Sequence, residues 1–350
     1  MLTYRFWLIY LILNELGCGG AVTANPCDTE SAICGSPVVL ASNLHFTCSI
    51  ALDATFVYWV DCQGANSDLM KVPINGGTPT TLVSGLTSEQ SGFLSIAVDA
   101  ESIYWTSLTA EGGLILKAPL NGGPPVTLAS VDGVPNGLAV NATSVFVATG
   151  ATGTNGTVVE QVLSVPIGGG TPSILATNDQ YPGSLAIDGT NIYWTQAPFS
   201  YRTNDGVTPD QGTVMKMPLG GGTPTTLTSG QSQPFGIVVY DTNVYWADQF
   251  AKTVMSMPIN GGTPTTLATC QDDPTACPLE PRDIAANSTD IYWVEEGKLL
   301  RVPFGGGTPT ILVTQHGLGL TSVFAVDDTN LYWSELGDDG DWSLKKLRVH

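Results

Sequence analysis

The chain has 350 residues, of which 43% are hydrophobic and only 12% are charged. Its net charge of −19 at pH 7 argues against a nucleic-acid backbone or an anionic membrane surface as a partner. The 40 glycines, an apolar set rich in β-branched residues and the lack of sustained helical periodicity beyond the N-terminus favour strands and tight turns over helices.

The first residues have the pattern of an export signal. Arg5 gives a positive start, and the apolar run 6–13 is too short to span a membrane as a helix. We therefore expect residues 1–17 to be a signal peptide. The segment Leu16-Gly17-Cys18 resembles the bacterial lipobox, which implies lipidation of Cys18. Plain signal cleavage and a retained anchor are the alternatives, and the expected location is the outer membrane, the periplasm or the medium of a bacterium.

Six further cysteines form three close pairs along the chain. None of them has the CxxC spacing of zinc or thioredoxin-like sites, and closeness in sequence favours sequential pairing. Three disulfides would agree with an oxidising, exported location. Residues 18–35 then form an N-terminal linker that carries the first pair. The predicted pairs are Cys27–Cys34, Cys48–Cys62 and Cys270–Cys277.

Two phrases recur through the rest of the chain. The first is an aliphatic residue followed by Tyr-Trp, with a degraded copy at Phe146-Val147. The second is a glycine-rich tail such as KVPINGGTPTTLVSG at residues 71–85, which occurs in six versions. The six clear Tyr-Trp pairs begin at Tyr58, Tyr104, Tyr193, Tyr245, Tyr292 and Tyr332.

Each repeat unit reads as four short strands, here named A, B, C and D. In the fourth unit the runs are PGSLAID, TNIYWTQA, GTVMKMPL and TPTTLTS, each rich in strand formers and bounded by turn residues. Asn-Gly or Gly-Gly between C and D supplies the positive φ angles of a hairpin turn. When the degraded copy at Phe146-Val147 is counted, successive Tyr-Trp positions lie 40 to 52 residues apart. A four-stranded repeat of about 40–45 residues is typical of a β-propeller blade.

The seventh unit has strands A, B and C but no following D strand. The matching segment, SPVVLAS, lies before the first unit at Ser36–Ser42. We predict that it pairs with strand C of the last blade and closes the ring, which hides the edges of an open sheet. The predicted fold class is therefore all-β. A seven-bladed propeller of four-stranded antiparallel blades forms a single domain over residues 36–350.

The Tyr-Trp copies, with Asp61 and Asp248 two residues beyond Trp59 and Trp246, resemble the YWTD repeats of low-density lipoprotein receptor propellers. The resemblance covers residues 36–350 and implies a propeller fold. The chain departs from that six-bladed family in its seven units and in the versions YWTS, YWTQ, YWVE and YWSE. The glycine-proline tails are similar to repeats of exported bacterial proteins, which implies a protein of exported or lipoprotein type.

The repeated residues themselves have structural explanations. Adjacent Tyr and Trp side chains on a strand point to opposite faces, so each fills one of the two interfaces of its blade. The acidic residue that ends strand A is predicted to close the A–B turn through an Asx-type hydrogen bond. This residue is Asp53, Asp99, Asp188 or Asp327, with Asn141 in the third unit.

Connection lengths point to one face of the ring. In a meander, the A–B and C–D turns lie on one face, here the turn face, and the B–C and D–A loops lie on the other, here the loop face. Only the second set varies widely, with the longest loops at Thr195–Gly212 and Thr269–Asp283. Variable loops are typical of binding surfaces, although ordinary loop packing is the alternative. The candidate binding residues are Phe199, Tyr201, Arg202, Gln180, Tyr181, Phe250 and Trp342.

Few residues suggest catalysis or metal binding. The chain has three histidines and no His-x-Glu or Glu-x-His pair, and we assign no catalytic residue. The segment GDDGDW contains Asp338, Asp339 and Asp341, which form either a Ca²⁺ site or a solvated acidic turn. From the D–A loops, Asn136, Glu280 and Asp283 are further acidic or amide groups expected near the central channel.

The leading hypothesis is a monomeric, exported, non-enzymatic scaffold that binds a protein or a glycan of the cell envelope through the loop face. The alternative is a hydrolase, lactonase or lyase that depends on a metal such as Ca²⁺ and has its site at the channel mouth. A purely structural envelope protein is the third possibility. No ligand is identified by the sequence.

Overall fold

The structure is a computed structural model that describes residues 35–62, 67–86, 95–152, 158–178, 180–197, 211–269, 281, 283–295, 297–314, 320–337 and 340–349. In this part the chain forms 28 strands and no helix. The strands are grouped in seven four-stranded antiparallel sheets. The innermost strand of each sheet contacts that of the next, and the last contacts the first, so the sheets form a closed ring. The predicted seven-bladed β-propeller is confirmed.

The strands are numbered β1 to β28 along the chain. The outer strand of blade seven comes first, as β1 (Val38–Leu44). Blade one contains β2 (Phe46–Leu52), β3 (Phe56–Cys62), β4 (Ser67–Pro73) and β5 (Thr80–Leu86). Blade two contains β6 (Ile96–Val98), β7 (Ser102–Thr109), β8 (Gly112–Pro119) and β9 (Val126–Val131). Blade three contains β10 (Val134–Val140), β11 (Ser144–Thr152), β12 (Val158–Pro166) and β13 (Ser173–Asn178).

The remaining blades follow the same order. Blade four contains β14 (Tyr181–Ile187), β15 (Asn191–Ala197), β16 (Gly212–Pro218) and β17 (Thr225–Gln231). Blade five contains β18 (Pro234–Tyr240), β19 (Asn243–Asp248), β20 (Thr253–Pro258) and β21 (Thr265–Thr269). Blade six contains β22 (Ile284–Ala286), β23 (Asp290–Glu295), β24 (Lys298–Pro303) and β25 (Thr310–Thr314). Blade seven contains β26 (Leu320–Val326), β27 (Asn330–Leu336) and β28 (Trp342–Arg348).

Ring closure occurs as the sequence predicts, with slightly shifted bounds. Strand β1 spans Val38–Leu44 rather than Ser36–Ser42, and it pairs antiparallel with β28. Val38 lies opposite Lys346, and Ala41 lies opposite Leu344. The two ends of the described chain therefore share one sheet, and no blade in the ring lacks its outer strand.

The core consists of seven inter-blade clusters, and the Tyr-Trp repeat explains them. Tyr58 packs with Trp105 of the next blade, while Trp59 packs with Tyr332 of the preceding blade. Both members of each pair are almost fully buried. The tyrosine thus faces the following blade and the tryptophan the preceding one. In blade three the buried Val147 takes the place of the tryptophan and packs against Tyr104.

The turn face is nearly uniform. Every C–D turn has the same length between its strands, and the first of its two central glycines has a positive φ, as in Gly76 at 87°. A residue with a β-carbon is strained there, so the Gly-Gly pair recurs in all six tails. None of the described residues forms a helix long and apolar enough to cross a membrane.

Candidate functional site

The A–B turns of the turn face are closed by the acidic residue that ends strand A. Asp53 Oδ1 accepts hydrogen bonds from the backbone N–H groups of Thr55 and Phe56, at 2.6 and 2.8 Å. Its second oxygen, Oδ2, accepts a 2.7 Å hydrogen bond from the Tyr58 hydroxyl. Blades two, four and seven repeat both features. The predicted Asx-type role is confirmed, and the tyrosine of the repeat proves to be part of it.

These hydrogen bonds change the acidity of both partners. Burial raises the pKa of the Tyr104 hydroxyl to about 12, and the hydrogen bond to the Asp99 carboxylate contributes. Burial alone would also raise the pKa of the Asp99 carboxyl, but the hydrogen bonds from Tyr104 and from the backbone hold it below its ordinary value. The four aspartates that end strand A, whose pKa values are all lowered, therefore remain ionised in their turns at neutral pH.

A cationic side chain on strand C completes this arrangement. Lys71 lies directly across from Tyr58 and donates a 2.6 Å hydrogen bond to the backbone carbonyl of Leu120, in the C–D turn of the next blade. The Lys71 ammonium also lies 4.4 Å from the centre of the Phe56 ring. Each such side chain joins its own blade to the next one. The other members are Lys117, Lys216, Arg301 and Lys346, which contact the carbonyls of Ile167, Ile259, Val349 and Ile74.

Blades three and six modify the set in a self-consistent way. In blade three, Asn141 replaces the aspartate, Phe146 the tyrosine and Ser164 the lysine, so both charges and the phenol are absent together while Asn141 still closes the turn. In blade six, Asn287 closes the turn and donates a 3.0 Å hydrogen bond to the Tyr292 hydroxyl. The negative charge moves to Asp290, which lies 3.5 Å from the Arg301 guanidinium.

Blade five breaks the pattern. Tyr240 stands at the aspartate position, and Ser256 lies across from Tyr245 where most blades have lysine. An open cleft of about 600 Å³ lies here, between blades five and six. Phe304 of blade six stacks on Tyr240 with ring centres 5.1 Å apart, and its ring centre is 5.4 Å from that of Tyr245. The cleft is lined by Tyr240, Asp241, Asn243, Tyr245, Ser288 and Phe304.

Sequence reasoning missed the strand C cations and this cleft. The signal was present in the tails, because a lysine or arginine precedes Pro73, Pro119, Pro218 and Pro303 by two residues, whereas serine precedes Pro166 and Pro258. What the pattern does not show is that the lysine reaches a neighbouring blade. That contact depends on how blades pack side by side.

The loop face differs from blade to blade. The B–C connections range from two residues in blades two and six to 14 residues in blade four, between β15 and β16. The D–A connections range from one residue, between β1 and β2, to 14 residues between β21 and β22. By contrast, six residues separate C from D in every tail. The contrast in connection length that the sequence predicts is present in the strand bounds.

Three of the predicted binding residues have described side chains. Gln180 is partly buried, and its side-chain amide donates a 3.5 Å hydrogen bond to the Gln211 carbonyl. Phe250 is partly buried in the B–C loop of blade five, where its N–H donates to the Ser232 carbonyl at 2.9 Å. Trp342 begins β28 and meets the half-exposed Phe46 edge to face, with ring centres 5.4 Å apart. These two aromatic groups lie in different blades of the loop face and do not form one cluster. The side chain of Tyr181 and all of Phe199, Tyr201 and Arg202 lie outside the described residues.

The residue two positions after each tryptophan has a structural role at the loop face. Gln196, Glu295 and Glu335 accept the indole N–H of the tryptophan two residues earlier, at 2.7 to 3.0 Å. Asp61 and Asp248 instead accept backbone N–H groups of His45 and Ser232, which lie just before strand A of the same blade. Where Gln or Glu replaces the Asp of YWTD, the side chain therefore accepts an indole N–H group instead of a backbone N–H group.

Of the predicted disulfides, Cys48–Cys62 is present and joins strands A and B of blade one. The partners Cys27 and Cys34, together with Cys270 and Cys277, lie outside the described residues, as does Cys18. The sequence separation of 14 residues in the described bridge is short, so its main effect is to fix the loop-face end of this hairpin.

Predicted metal ligands do not come together in the described part of the chain. Asp338, Asp339 and Glu280 lie outside it, and Asp341 is exposed just before β28. Among the described residues no group of three or more His, Cys, Asp or Glu side chains is placed to hold a metal ion. Asp283 accepts a 3.0 Å hydrogen bond from the Ile284 N–H, and burial raises the pKa of its carboxyl to about 7.

One buried carboxyl group was not anticipated. Glu160 lies at the loop-face end of β12, is fully inaccessible to solvent, and has no hydrogen-bond partner for either carboxyl oxygen in the part of the chain described. Burial raises its pKa to about 8. The adjacent Gly150 makes room for it, because a β-carbon there would lie 2.7 Å from Glu160 Oε2.

No family model matches the chain, and the search of curated proteins gave no match. Solved structures do match. A puromycin-hydrolysing peptidase of Mycobacterium tuberculosis aligns with a TM-score of 0.63 and 13% identity, over 89% of this chain and 53% of that one. A structure from a study of two prolyl endopeptidases aligns with a TM-score of 0.61 and 10% identity, over 88% and 48%.

The shared feature is the fold. At these identities the likeness reaches no further, and the chain spans about half the length of the two peptidase chains. A chain of a nidogen–laminin complex is 20% identical over 65% of this chain and 81% of that one, with a TM-score of 0.48. The two peptidase matches show a shared fold alone, and the function is argued from the chain's own residues.

Proposed function

We propose that the protein is an exported, non-enzymatic scaffold that binds a protein or a glycan through the loop face of its propeller. The observation that carries the proposal is the contrast between the two faces. The turn face is built from one repeated set of hydrogen bonds and one turn length. The loop face varies in length at both kinds of connection, as surfaces that meet a ligand do.

The proposal includes the route and location of the protein. Residues 1–17 act as the signal peptide, Cys18 carries lipid, and residues 18–35 link the anchor to the propeller. The Cys48–Cys62 disulfide supports an oxidising compartment. With a net charge of −19, the surface disfavours nucleic acid and favours a soluble, monomeric domain whose partner lies in the cell envelope.

The contact residues of the proposal are Phe199, Tyr201 and Arg202 in the long B–C loop of blade four, with Tyr181, Phe250 and Trp342 around them. Aromatic and arginine side chains supply most of the energy of protein interfaces when they are contacts. Trp342 and its partner Phe46 illustrate the type of surface, since an aromatic pair stands half-exposed at the rim.

A paired set of variants tests the assignment of the face. The loop variant carries Phe199→Ala, Tyr201→Ala and Arg202→Ala, and the control carries Asn75→Asp and Asn260→Asp in exposed C–D turns. Each is used to capture partners from a cell-envelope extract and on a glycan array, after its melting temperature has been measured. We expect the loop variant to lose the captured partner with an unchanged melting temperature. Loss in the turn variant alone would place the binding site on the opposite face.

A further inference from the structure

The cleft between blades five and six is the place where a repeated cation of the propeller is missing. In five blades an ammonium or guanidinium group lies across from the repeat tyrosine and reaches a carbonyl of the next blade. In blade five this position is Ser256, across from Tyr245. The carbonyl that corresponds to the usual acceptor belongs to Phe304, which is one of the residues lining the cleft.

The aromatic rings that lie near this cation in other blades have counterparts in the cleft. Lys71 and Lys216 lie over the rings of Phe56 and Tyr193, at 4.4 and 5.5 Å from the ring centres. The cleft offers three aromatic rings, because Phe304 contacts the rings of both Tyr240 and Tyr245. Aromatic faces attract cations, most strongly where water is partly excluded.

A carboxylate is present although its position has changed. The A–B turn of blade five has as many residues between equivalent paired positions as the turn of blade four, and Asp241 follows Tyr240 with a positive φ of 51°. Asp241 lines the cleft together with Asn243. Burial and, after it, the nearby Asp241 charge raise the pKa of the Tyr245 hydroxyl, while the Asn243 side chain opposes them. The negative charge therefore acts on the interior of the cleft.

Blade three shows that loss of the lysine does not by itself leave such a site. There the lysine, the aspartate and the tyrosine hydroxyl are all replaced, by Ser164, Asn141 and Phe146. Blade five has lost the lysine and has Tyr240 at the aspartate position, but it keeps a carboxylate at the next residue, Asp241, together with the Tyr245 phenol and two further rings. Because of this difference, we interpret the cleft of blade five as a binding site and the corresponding region of blade three as a simplified interface.

We propose that this cleft binds an alkylammonium group supplied from outside the chain, either the side chain of a lysine on a partner protein or a free amine. The ammonium takes the place of the missing lysine head group, against the aromatic rings and near the Asp241 carboxylate. The alkyl chain lies along Tyr240 and Phe304. This site is on the turn face and is independent of the proposed loop-face function.

The test uses n-butylammonium chloride as probe, with n-butanol as the uncharged control at matched ionic strength. Ligand-observed saturation-transfer NMR and a titration measure binding to the full chain. We expect saturable binding of butylammonium in roughly the millimolar range and none of butanol. Asp241→Asn should weaken binding by about threefold, as expected for an exposed charge. Nα-acetyl-lysine methylamide distinguishes the sources, since tighter binding of this compound indicates a protein lysine and equal binding a free amine.

Two lysine substitutions make the test specific. Ser256→Lys should restore the intramolecular cation, raise the melting temperature, and weaken butylammonium binding at least about tenfold because the site is filled. Ser164→Lys is the matched control in blade three, where Asn141 and Phe146 replace the aspartate and the tyrosine. It should change neither the melting temperature nor the binding of butylammonium. Absence of saturable butylammonium binding to the unsubstituted chain, or equal binding to the Ser256→Lys variant, would overturn the proposal.

Discussion

At the residue scale, one carboxylate in each regular blade accepts several hydrogen bonds. Asp188 accepts hydrogen bonds from the N–H groups of Thr190 and Asn191 and from the hydroxyl of Tyr193. Tyr193 lies five residues after Asp188, in the next strand. It thereby ties a turn to the buried aromatic residue of its own blade. These bonds hold the repeat in register and give a structural reason for the aspartate to recur in the regular blades.

The first prediction concerns this residue. Asp188→Ala should lower the free energy of unfolding by about 1–3 kcal/mol, because several donors lose their acceptor. Asp188→Asn should cost less, since Asn141 and Asn287 close the corresponding turns of blades three and six. Urea unfolding of the three proteins at pH 7 measures the order. Equal losses for alanine and asparagine would contradict it.

The pH dependence of this effect has a definite sign. Despite burial, the hydrogen bonds from Tyr193 and the backbone hold the pKa of Asp188 below its ordinary value of 3.8. Its contribution to stability is therefore present above pH 4 and lost as the pH falls through the lower, folded-state pKa. The stability gap between the unsubstituted chain and Asp188→Asn should narrow from pH 7 towards pH 3. An unchanged gap between pH 7 and pH 3 would contradict this assignment.

Glu160 provides a prediction of opposite sign. Burial raises its pKa from the ordinary 4.5 to about 8, so the folded state holds a proton that the unfolded state releases between these values. Stability should fall as the pH rises across this window, by on the order of 1–4 kcal/mol. Glu160→Gln should remove most of that slope. Denaturant unfolding from pH 5 to pH 9 measures it, and an unchanged slope would mean that the carboxyl group is solvated or paired.

At the scale of elements, the blade is the unit, and blade three shows how it tolerates change. Val147 replaces the tryptophan and is fully buried, in contact with a cluster that includes Tyr104, Leu138 and Leu163. Phe146 keeps the ring of the tyrosine and packs with Trp194. We expect these neighbours to fill the missing indole volume, because protein interiors are closely packed.

A substitution tests that compensation. Val147→Trp should overpack the interface and lower the free energy of unfolding by about 1–3 kcal/mol. Val147→Ile, a smaller enlargement, serves as the control and should cost much less. Thermal and urea unfolding give the comparison. A gain in stability for the tryptophan variant would show that the interface between blades two and three contains a void.

The sequence predicts the elements well because each one depends on local patterns. Tyr-Trp marks strand B, the NGG or GGG turn marks the C–D hairpin, and SPVVLAS marks the displaced outer strand. The contacts between blades could not be obtained in this way. That Lys71 bonds to Leu120, 49 positions away, depends on the side-by-side packing of two sheets. The cleft at Tyr240 is harder still to predict from the sequence, because it arises where the aspartate and the lysine of other blades are replaced by Tyr240 and Ser256.

At the scale of the whole molecule, the ring depends on β1. Leu40 and Ala41 are buried in the interface between blades seven and one, and the strand covers the edge of β28. Deleting residues 36–44 should therefore remove about 3–5 kcal/mol of apolar burial. It should lower the melting temperature by about 10 °C. Deleting residues 19–26 serves as the control, and a truncated chain that melts like the full one would rule out closure by β1.

The central claim is that the protein binds its partner through the loop face, and position-specific photo-crosslinking tests it most directly. A photoreactive phenylalanine derivative is placed at Phe250 or Trp342 on the loop face, and at Asn75 or Asn260 on the turn face. After irradiation in cell-envelope extract, the adducts are identified by mass spectrometry. We expect one recurring envelope protein or glycan at the loop-face positions and no adduct of that partner at the turn-face positions. Recurring adducts at Asn75 and Asn260, with none at Phe250 and Trp342, would contradict it.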